Sequence, residues 1–510
     1  MTEKFRREME EEGMEEAILT LDLGTTAVKA TLFTLDGEAR AQAAREYPTE
    51  RPRPDWAEQD PEAWWEASVE AVRALGDLPP VKVISLTSQR EGVVPVDDQG
   101  NPLARCIIWQ DRRARQEAQE LASVFGDALH ARTGMRPDPT FTAPKLLWMR
   151  RQAPESFVRA RWFLQPRDFL YLRLTGCPVT DPSLASRTML WDIRAGRWWE
   201  EVFSYVGVRP DQFPPVHPST AMPGALSSEA ARALGLRPGL PVVVGAGDRA
   251  CEAIGVGAAD GRVMVSTGTT TNVSTATPDL PARLDPRLLY SAHGIPGFFL
   301  IEQGLSTSGA ILRWLRDEVL GGRWTYADLD RLAAESPPGA RGLILLPFFM
   351  GARSTRWNPR ARGLFLGLSL GHRLGDIVRS VLEGVALEVR ACLDLLREGA
   401  IPVCELAVVG GGARSDLWNQ ILADTTGCPV VVPKEREAAS LGAMILAAAG
   451  LGVIGEVASQ GRTLNPVGSF FASREEVCRQ YEKLYSLYNA AYHAVEPLYE
   501  SLAPFGEEGG

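Results

Sequence analysis

Ile18-Leu19-Thr20-Leu21-Asp22-Leu23-Gly24-Thr25-Thr26-Ala27-Val28-Lys29-Ala30-Thr31-Leu32 is the stretch that decides the class of this chain. The apolar residues leading to Asp22 predict a strand. Gly24-Thr25-Thr26 is turn chemistry. Val28, Ala30 and Leu32 then alternate as one face of a second strand does, and Asp36-Gly37 closes the segment. The same plan recurs at Arg262 to Ser266, Thr267-Gly268-Thr269-Thr270-Thr271 and Asn272 to Ser274. Two such units predict an internal repeat of half-molecules; the match is short, and coincidence is the alternative.

Strand and helix signals alternate outward from these units. Val81 to Leu86, Gly92 to Val96, Cys106 to Trp109 and Pro241 to Gly247 read as strands. Phe141 to Phe203 reads as mostly helical, and the Pro-rich Val206 to Gly239 as loop. Val381, Leu382, Val385, Val389, Cys392, Leu393 and Leu396 recur at three- and four-residue steps, which predicts a helix over Arg379 to Arg397 stopped at Gly399. Leu406 to Val409 predicts a strand running into Gly410-Gly411-Gly412, with Ser415-Asp416 starting the next helix. This alternation is α/β. A chain of 510 residues exceeds one ordinary core. The expected divisions are a charged extension at residues 1–16, a first domain at 17–255 and a second at 256–510.

A net charge of −10 argues against a general nucleic-acid or anionic-membrane binder. The cysteines are seven, scattered and without a CxxC pair, which predicts reduced thiols. The charged start has no apolar core of a secretory signal. Ala438 to Gly455 is broken by glycines and reads as a buried helix and turn. A cytoplasmic protein is expected.

Five clusters carry candidate chemistry. Asp22 at a strand end can organise Mg²⁺ through water, and Gly24, Thr25, Thr26 and Lys29 offer donors and charge to a phosphate; a plain hairpin turn is the alternative. Ser266 to Thr270 offers the same donors, with the same alternative. Val409 to Asp416 leaves room for a flat ligand against backbone, or is a structural turn; it matches neither GxxxxGK[ST] nor a full GxGxxG. Gly245-Ala246-Gly247-Asp248-Arg249 places an Asp at a strand's carboxyl end, where ligands bind in α/β sheets; Asp248 is a candidate base or a helix cap. Ser88-Gln89-Arg90-Glu91-Gly92 suits several sugar hydroxyls, or is a solvated surface pair.

In order and spacing these clusters resemble the FGGY carbohydrate kinase family over roughly Ile18 to Ala472. Phe141-Thr142-Ala143-Pro144-Lys145-Leu146-Leu147-Trp148 resembles its first signature, and Phe349 to Ser354 with Asn358 to Gly363 and Gly367-Leu368 its second. Val408 to Ser415 and Glu437 to Ala443 resemble its adenosine region. Trp56-Ala57-Glu58-Gln59-Asp60-Pro61 and Trp64-Trp65 resemble xylulokinases, whereas Arg90-Glu91 and Ile108 to Arg113 resemble glycerol kinases.

The resemblance implies a two-domain actin-like ATPase (ribonuclease H-like) fold with an interdomain cleft, and ATP-dependent phosphorylation of a small ketose or polyol. A xylulose-like ketopentose is the first choice, glycerol or erythritol the next. Asp248 is implied as general base and Asp22 as the Mg²⁺ residue. Thr25, Thr26, Lys29, Gly268 and Thr269 are implied at the phosphates, Ser308 and Gly309 nearby, and Gly411, Gly412, Ala413 and Asn419 at adenosine. Gln89, Arg90, Glu91, Trp109, Thr140 and Arg249 join Asp248 as substrate candidates. Arg249 stands where glycerol kinases carry Gln, and this departure puts a simple glycerol or xylulose pocket in doubt. The autoinducer-2 signal is the alternative substrate, and a non-catalytic nucleotide switch or sugar sensor is the rival class. Neither a nucleic acid nor a membrane is an expected partner; a homodimer is common among the proteins resembled.

Overall fold

The computed structural model describes residues 16–506, so the expected extension at residues 1–16 lies outside it except for Glu16. The described chain forms two compact units. The first holds residues up to Gly257 together with Ala276–Leu300 and Glu437–Asn465; the second holds Ala258–Thr275, Ile301–Arg436 and the chain from Pro466.

The main sheet of the first unit is built from β1 (Ala17–Leu23), β2 (Ala27–Thr34), β3 (Ala39–Glu46), β4 (Val81–Ser88), β5 (Gly224–Ala225) and β6 (Pro241–Gly247). Their order is β5-β6-β4-β1-β2-β3. β1 and β2 form the predicted hairpin, while β1, β4 and β6 run parallel. Three parallel strands therefore bring their carboxyl ends to one edge of the sheet, carrying Asp22, the segment 89–91 and Asp248 with them. Leu19, Leu21, Ile84, Leu86, Val242 and Val244 form a core with Leu170, Tyr171 and Leu174 from the helix Pro166–Thr175.

The second unit repeats the plan. Its strands are β7 (Arg262–Thr267), β8 (Thr271–Thr277), β9 (Phe299–Leu305), β10 (Glu405–Val409), β11 (Val430–Pro433) and β12 (Val467–Phe471), ordered β9-β8-β7-β10-β11-β12. β7 pairs antiparallel with β8 and parallel with β10, as β1 does with β2 and β4. The hairpin repeat is thus a repeat of sheet topology.

Three local expectations change. The long helix is Leu374–Glu398, starting earlier than its apolar stripe because Asp376 accepts from the Arg373 backbone N–H at 2.8 Å and caps the first turn. It does stop at Gly399, but the left-handed residue is Ala400, at φ 57. The Pro-rich stretch contains the helix Ser228–Leu234, capped where Ser227 Oγ accepts from Ala230 N at 3.2 Å. Among the described residues no helix is long and apolar enough to cross a membrane.

The sequence predicts one division after residue 255, yet helix Ala438–Gly450 packs with the first unit, against helix Asp248–Val256 and strands β1 and β4. Glycines permit this approach. A Cβ on Gly442 would lie 1.8 Å from the Cys251 carbonyl oxygen, and one on Gly255 would lie 2.0 Å from that of Ala438. Ser85 Oγ on β4 adds a hydrogen bond to the Ala443 carbonyl at 2.7 Å. Gly442→Ala and Gly255→Ala are each expected to destabilise the protein by ~1–3 kcal/mol through overpacking. Gly455→Ala, with open space around it, is expected to stay within about 0.5 kcal/mol. Chemical denaturation followed by circular dichroism checks all three.

Candidate active site

Asp248 is the first residue of its helix, immediately after β6. The end of β6 is fixed from below by Arg167. This fully buried guanidinium donates to the Gly245 carbonyl at 2.9 Å, to Asp181 at 2.8 Å and to Asp168 at 2.8 Å. Gly247 N–H donates to Ser183 Oγ at 3.0 Å. Arg90 lies over Gly247, where a Cβ would come within 2.6 Å of its Cδ, and its Nε stands 3.1 Å from Asp248 Oδ1. The Arg249 backbone N–H donates to the same oxygen at 2.7 Å. Burial raises the Asp248 pKa, Arg90 and Arg249 oppose it, and Glu91 adds to it. A third of the side chain stays open, at 33%. A carboxylate so placed is reachable by a small ligand and is made more basic.

Glu91 follows Arg90 in a left-handed backbone conformation, φ 64, which a non-glycine residue holds only when its neighbours insist. They hold its N–H, its carbonyl and its carboxylate. Its N–H donates to Gln165 Oε1 at 2.9 Å, and its carbonyl accepts from Lys145 Nζ at 2.8 Å. Its carboxylate accepts from Arg187 Nε at 2.5 Å. Lys145 is fully buried, also donates to the Thr140 carbonyl at 2.6 Å, and burial brings its pKa down to about 8. Removing one partner of the buried Arg187–Glu91 pair would cost ~3–5 kcal/mol.

The other substrate candidates are placed as follows. The Gln89 N–H donates to the Leu23 carbonyl at 2.8 Å, tying it to the end of β1. Its Oε1 is buried with no hydrogen-bond partner among the described residues. Trp109 Nε1 donates to Thr25 Oγ1 at 2.9 Å. Thr140 Oγ1 accepts from Arg112 at 2.9 Å. Arg249 pairs with Glu252 at 2.6 Å.

Asp22 ends β1 nearly buried, and its Oδ1 has no partner among the described residues. Burial raises its pKa to about 7; Lys29 opposes the shift, while Asp248, Glu437 and Glu252 add to it. Such a carboxylate fits a hydrated divalent cation, which would supply the charge it lacks. No group of three His, Cys, Asp or Glu side chains among the described residues could hold a metal. A single carboxylate suits Mg²⁺, which keeps most of its water. Lys29 pairs with Glu437 at 2.5 Å. Thr26, beside Thr25, is exposed at the tip of the turn.

The second unit has its own cavity of about 500 Å³, lined by Gly268, Thr269, Gly309, Gly411 and Gly412 among others. That volume is in the range of small-molecule sites. Gly309 N–H donates to the Gly268 carbonyl at 2.9 Å, and a Cβ on Gly309 would stand 2.5 Å from that oxygen. A Cβ on Gly412 would meet Thr267 Cγ2 at 2.6 Å. Ser308, Ala413 and Asn419 support the walls instead of lining them. Ser308 Oγ accepts from Thr271 at 2.8 Å, and buried Asn419 donates to the Ala413 carbonyl at 3.0 Å.

Sequence reasoning passed over Arg313, Tyr326, Asp330, Arg414 and Trp418, which also line this cavity. It also passed over Gln59, Gln165, Arg187 and the contacts of Lys145. Gln59 and Lys145 lie inside the quoted motifs, so a signal was present for those two.

Two mixed sheets with repeated hairpins, acidic residues at the strand ends of one and a glycine-lined cavity beside the other, define a two-domain actin-like ATPase fold. The chain belongs to the FGGY family of carbohydrate kinases, matching the family's N-terminal domain over residues 17–255 and its C-terminal domain over 263–451. It is 34% identical to the xylulose kinase of Escherichia coli over 411 residues, 80% of this chain and 84% of that protein. It is 30% identical to a gluconokinase of Bacillus licheniformis over 505 residues, 96% of this chain and 98% of that protein. The crystal structure of xylulose kinase from Rhodospirillum rubrum superposes with a TM-score of 0.88 at 31% identity, covering 95% of this chain and 100% of that one. The protein is a sugar kinase.

Asp22 makes one consequence measurable without ligand. Its folded pKa, about 7, lies above the ordinary 3.8, so the folded state holds this proton more tightly than the unfolded chain does. Stability from this group is full below pH ~4 and lost as pH rises through about 7. Asn carries no such titration. Without nucleotide or metal, the thermal midpoint of Asp22→Asn is expected to gain on that of the parent between pH 5 and pH 8. A gap independent of pH would contradict the burial of an ionisable Asp22.

Proposed function

We propose that the chain transfers the γ-phosphoryl group of Mg-ATP to a hydroxyl of a small neutral sugar, a xylulose-like ketopentose first, with glycerol or erythritol next. One observation carries the neutral-sugar reading. Around Asp248 each guanidinium already has a carboxylate: Arg90 with Asp248 at 3.1 Å, Arg187 with Glu91 at 2.5 Å, Arg249 with Glu252 at 2.6 Å. A site whose cations are matched in this way suits hydroxyls, which use both donors and acceptors. Gluconate would bring a further negative charge into it.

In this reading Asp248 accepts the hydroxyl proton as the oxygen attacks phosphorus, and its raised pKa makes it a better acceptor. Arg90 holds the Asp248 carboxylate in place. Gln89 Oε1, buried and without a partner among the described residues, accepts a hydrogen bond from a sugar hydroxyl. Glu91, Thr140 and Arg249 fix the surrounding wall. Thr25, Thr26 and Lys29 hold the polyphosphate in the first unit. In the second unit Gly268, Thr269 and Gly309, with Ser308 behind them, are the phosphate candidates, and Gly411 and Gly412 line the nucleoside wall that Ala413 and Asn419 support. Mg²⁺ at Asp22 would neutralise phosphate charge. Phosphoryl transfer asks for this positioning and charge balance more than for covalent help.

ADP release with D-xylulose, L-ribulose, D-ribulose, glycerol, erythritol, autoinducer-2 precursor and gluconate tests the reading. One neutral acceptor is expected to dominate, and Asp248→Asn to lower kcat for it by ~10²–10⁴-fold. Preference for gluconate would overturn the neutral-sugar reading. Full activity in Asp248→Asn would overturn its role as base. ATP binding with no acceptor anywhere on the panel would favour the sensor.

A further inference from the structure

The turn at residues 24–26 is held by side chains of the candidate sugar pocket. Trp109 Nε1 donates to Thr25 Oγ1 at 2.9 Å. An indole N–H can only donate. Thr25 Oγ1 therefore acts as acceptor toward Trp109, and its own O–H remains to be donated elsewhere. The carbonyl of the same residue accepts from Gln59 Nε2 at 2.7 Å. Gln59 is fully buried and fully used. Its other amide proton goes to Thr49 Oγ1 at 2.8 Å, and its Oε1 accepts from Gln89 at 2.8 Å and Trp64 at 3.1 Å. The Tyr47 hydroxyl donates to the Gly24 carbonyl, and the Tyr47 N–H to the Thr26 carbonyl at 3.1 Å.

Two sugar candidates thus reach one phosphate candidate by separate routes. Trp109 touches the Thr25 hydroxyl directly, and Gln89 acts on the Thr25 carbonyl through Gln59. The Gln59 route is rigid, since each of its polar groups has a fixed partner. The Trp109 route ends on a rotatable hydroxyl, so it alone sets where a proton points.

We propose that Trp109 serves both substrates: its ring backs the sugar, and its N–H aims the Thr25 hydroxyl proton at the nucleotide's phosphates. Sugar occupancy and phosphate grip are then coupled through one hydrogen bond. Sugar pressed on the ring restrains the indole, and the restrained indole holds Thr25 as a phosphate donor. With the pocket empty the ring is less restrained and the donor less well aimed, which disfavours transfer to water. This inference rests on the phosphate role proposed above for Thr25 and on Trp109 as a substrate candidate.

The test is a double-mutant cycle. Trp109→Phe keeps a ring and removes the N–H; Thr25→Val keeps the shape and removes the hydroxyl. Thermal midpoints within a few degrees of the parent establish that each variant folds. The primary readout is the ratio of ADP release with saturating sugar to that without. Each single variant is expected to lower this ratio roughly 3–10-fold, the effect of one ordinary hydrogen bond. The double variant is expected to be no worse than either single one, because both remove the same bond. Trp109→Phe is expected to change kcat more than the KM for sugar. Effects that multiply in the double variant, or a Trp109→Phe defect confined to sugar KM, would overturn the coupling. Failure of the sugar-kinase reading is seen separately, as absence of sugar stimulation in the unmutated protein. In that event the same cycle is read on the calorimetric Kd for Mg-ATP, where non-additivity supports the Trp109–Thr25 link and additivity rejects it.

Discussion

At Gly442 the backbone of one helix comes so near the Cys251 carbonyl that no side chain fits between them, and at Gly255 the second helix returns the same approach toward Ala438. The position of Asp248 depends on this contact, because Asp248 is the first residue of the helix so clamped. The contact also delivers Glu437, at the start of the other helix, to Lys29. A pairing between distant segments thereby sets the base candidate and the charge balance beside Asp22. The strand end feeding Asp248 is fixed independently by Arg167, so the residue is held from both sides of its chain.

The first unit gathers more charge at its strand ends than an ordinary surface would tolerate. Burial, with Asp248, Glu437 and Glu252 nearby, raises the cost of ionising Asp22, and Lys29 offsets it; burial and Glu91 do the same to Asp248, and Arg90 and Arg249 offset it. The arrangement is tuned, since carboxylates lifted from their usual range are ready to take a proton or a cation. Glu91 shows the same character in its backbone. Its left-handed conformation persists because Gln165, Lys145 and Arg187 each grip a different part of it. Lys145, a residue of the segment resembling the first signature, therefore acts on the candidate sugar site through the main chain of Glu91.

Local chemistry made much of this legible from residues alone. The Gly/Thr hairpins at Gly24 and Gly268 are visible because turn residues and strand alternation are short-range signals. The strand leading to Asp248 and the Ser415 cap are visible for the same reason. What stayed hidden is long-range. No local pattern says that helix Ala438–Gly450 joins the first unit, since that follows from where its glycines meet Cys251. Arg187 offered no motif, and its partner Glu91 lies far away in sequence. Asp330 and Tyr326 sit in an ordinary amphipathic helix, and only the fold turns that helix into a cavity wall. The resemblance implies Asn419 at adenosine, and the fold buries it with its amide donating to the Ala413 carbonyl, a contact no local pattern announces.

The proposed reaction transfers phosphate from ATP to a neutral sugar, in contrast to release to water. The most direct measurement is the stoichiometry of ADP and sugar phosphate, followed by ³¹P NMR with Mg-ATP and D-xylulose. The account predicts one sugar phosphate formed for each ADP and almost no inorganic phosphate. ADP accompanied by inorganic phosphate, with no sugar ester from any neutral acceptor, would contradict it.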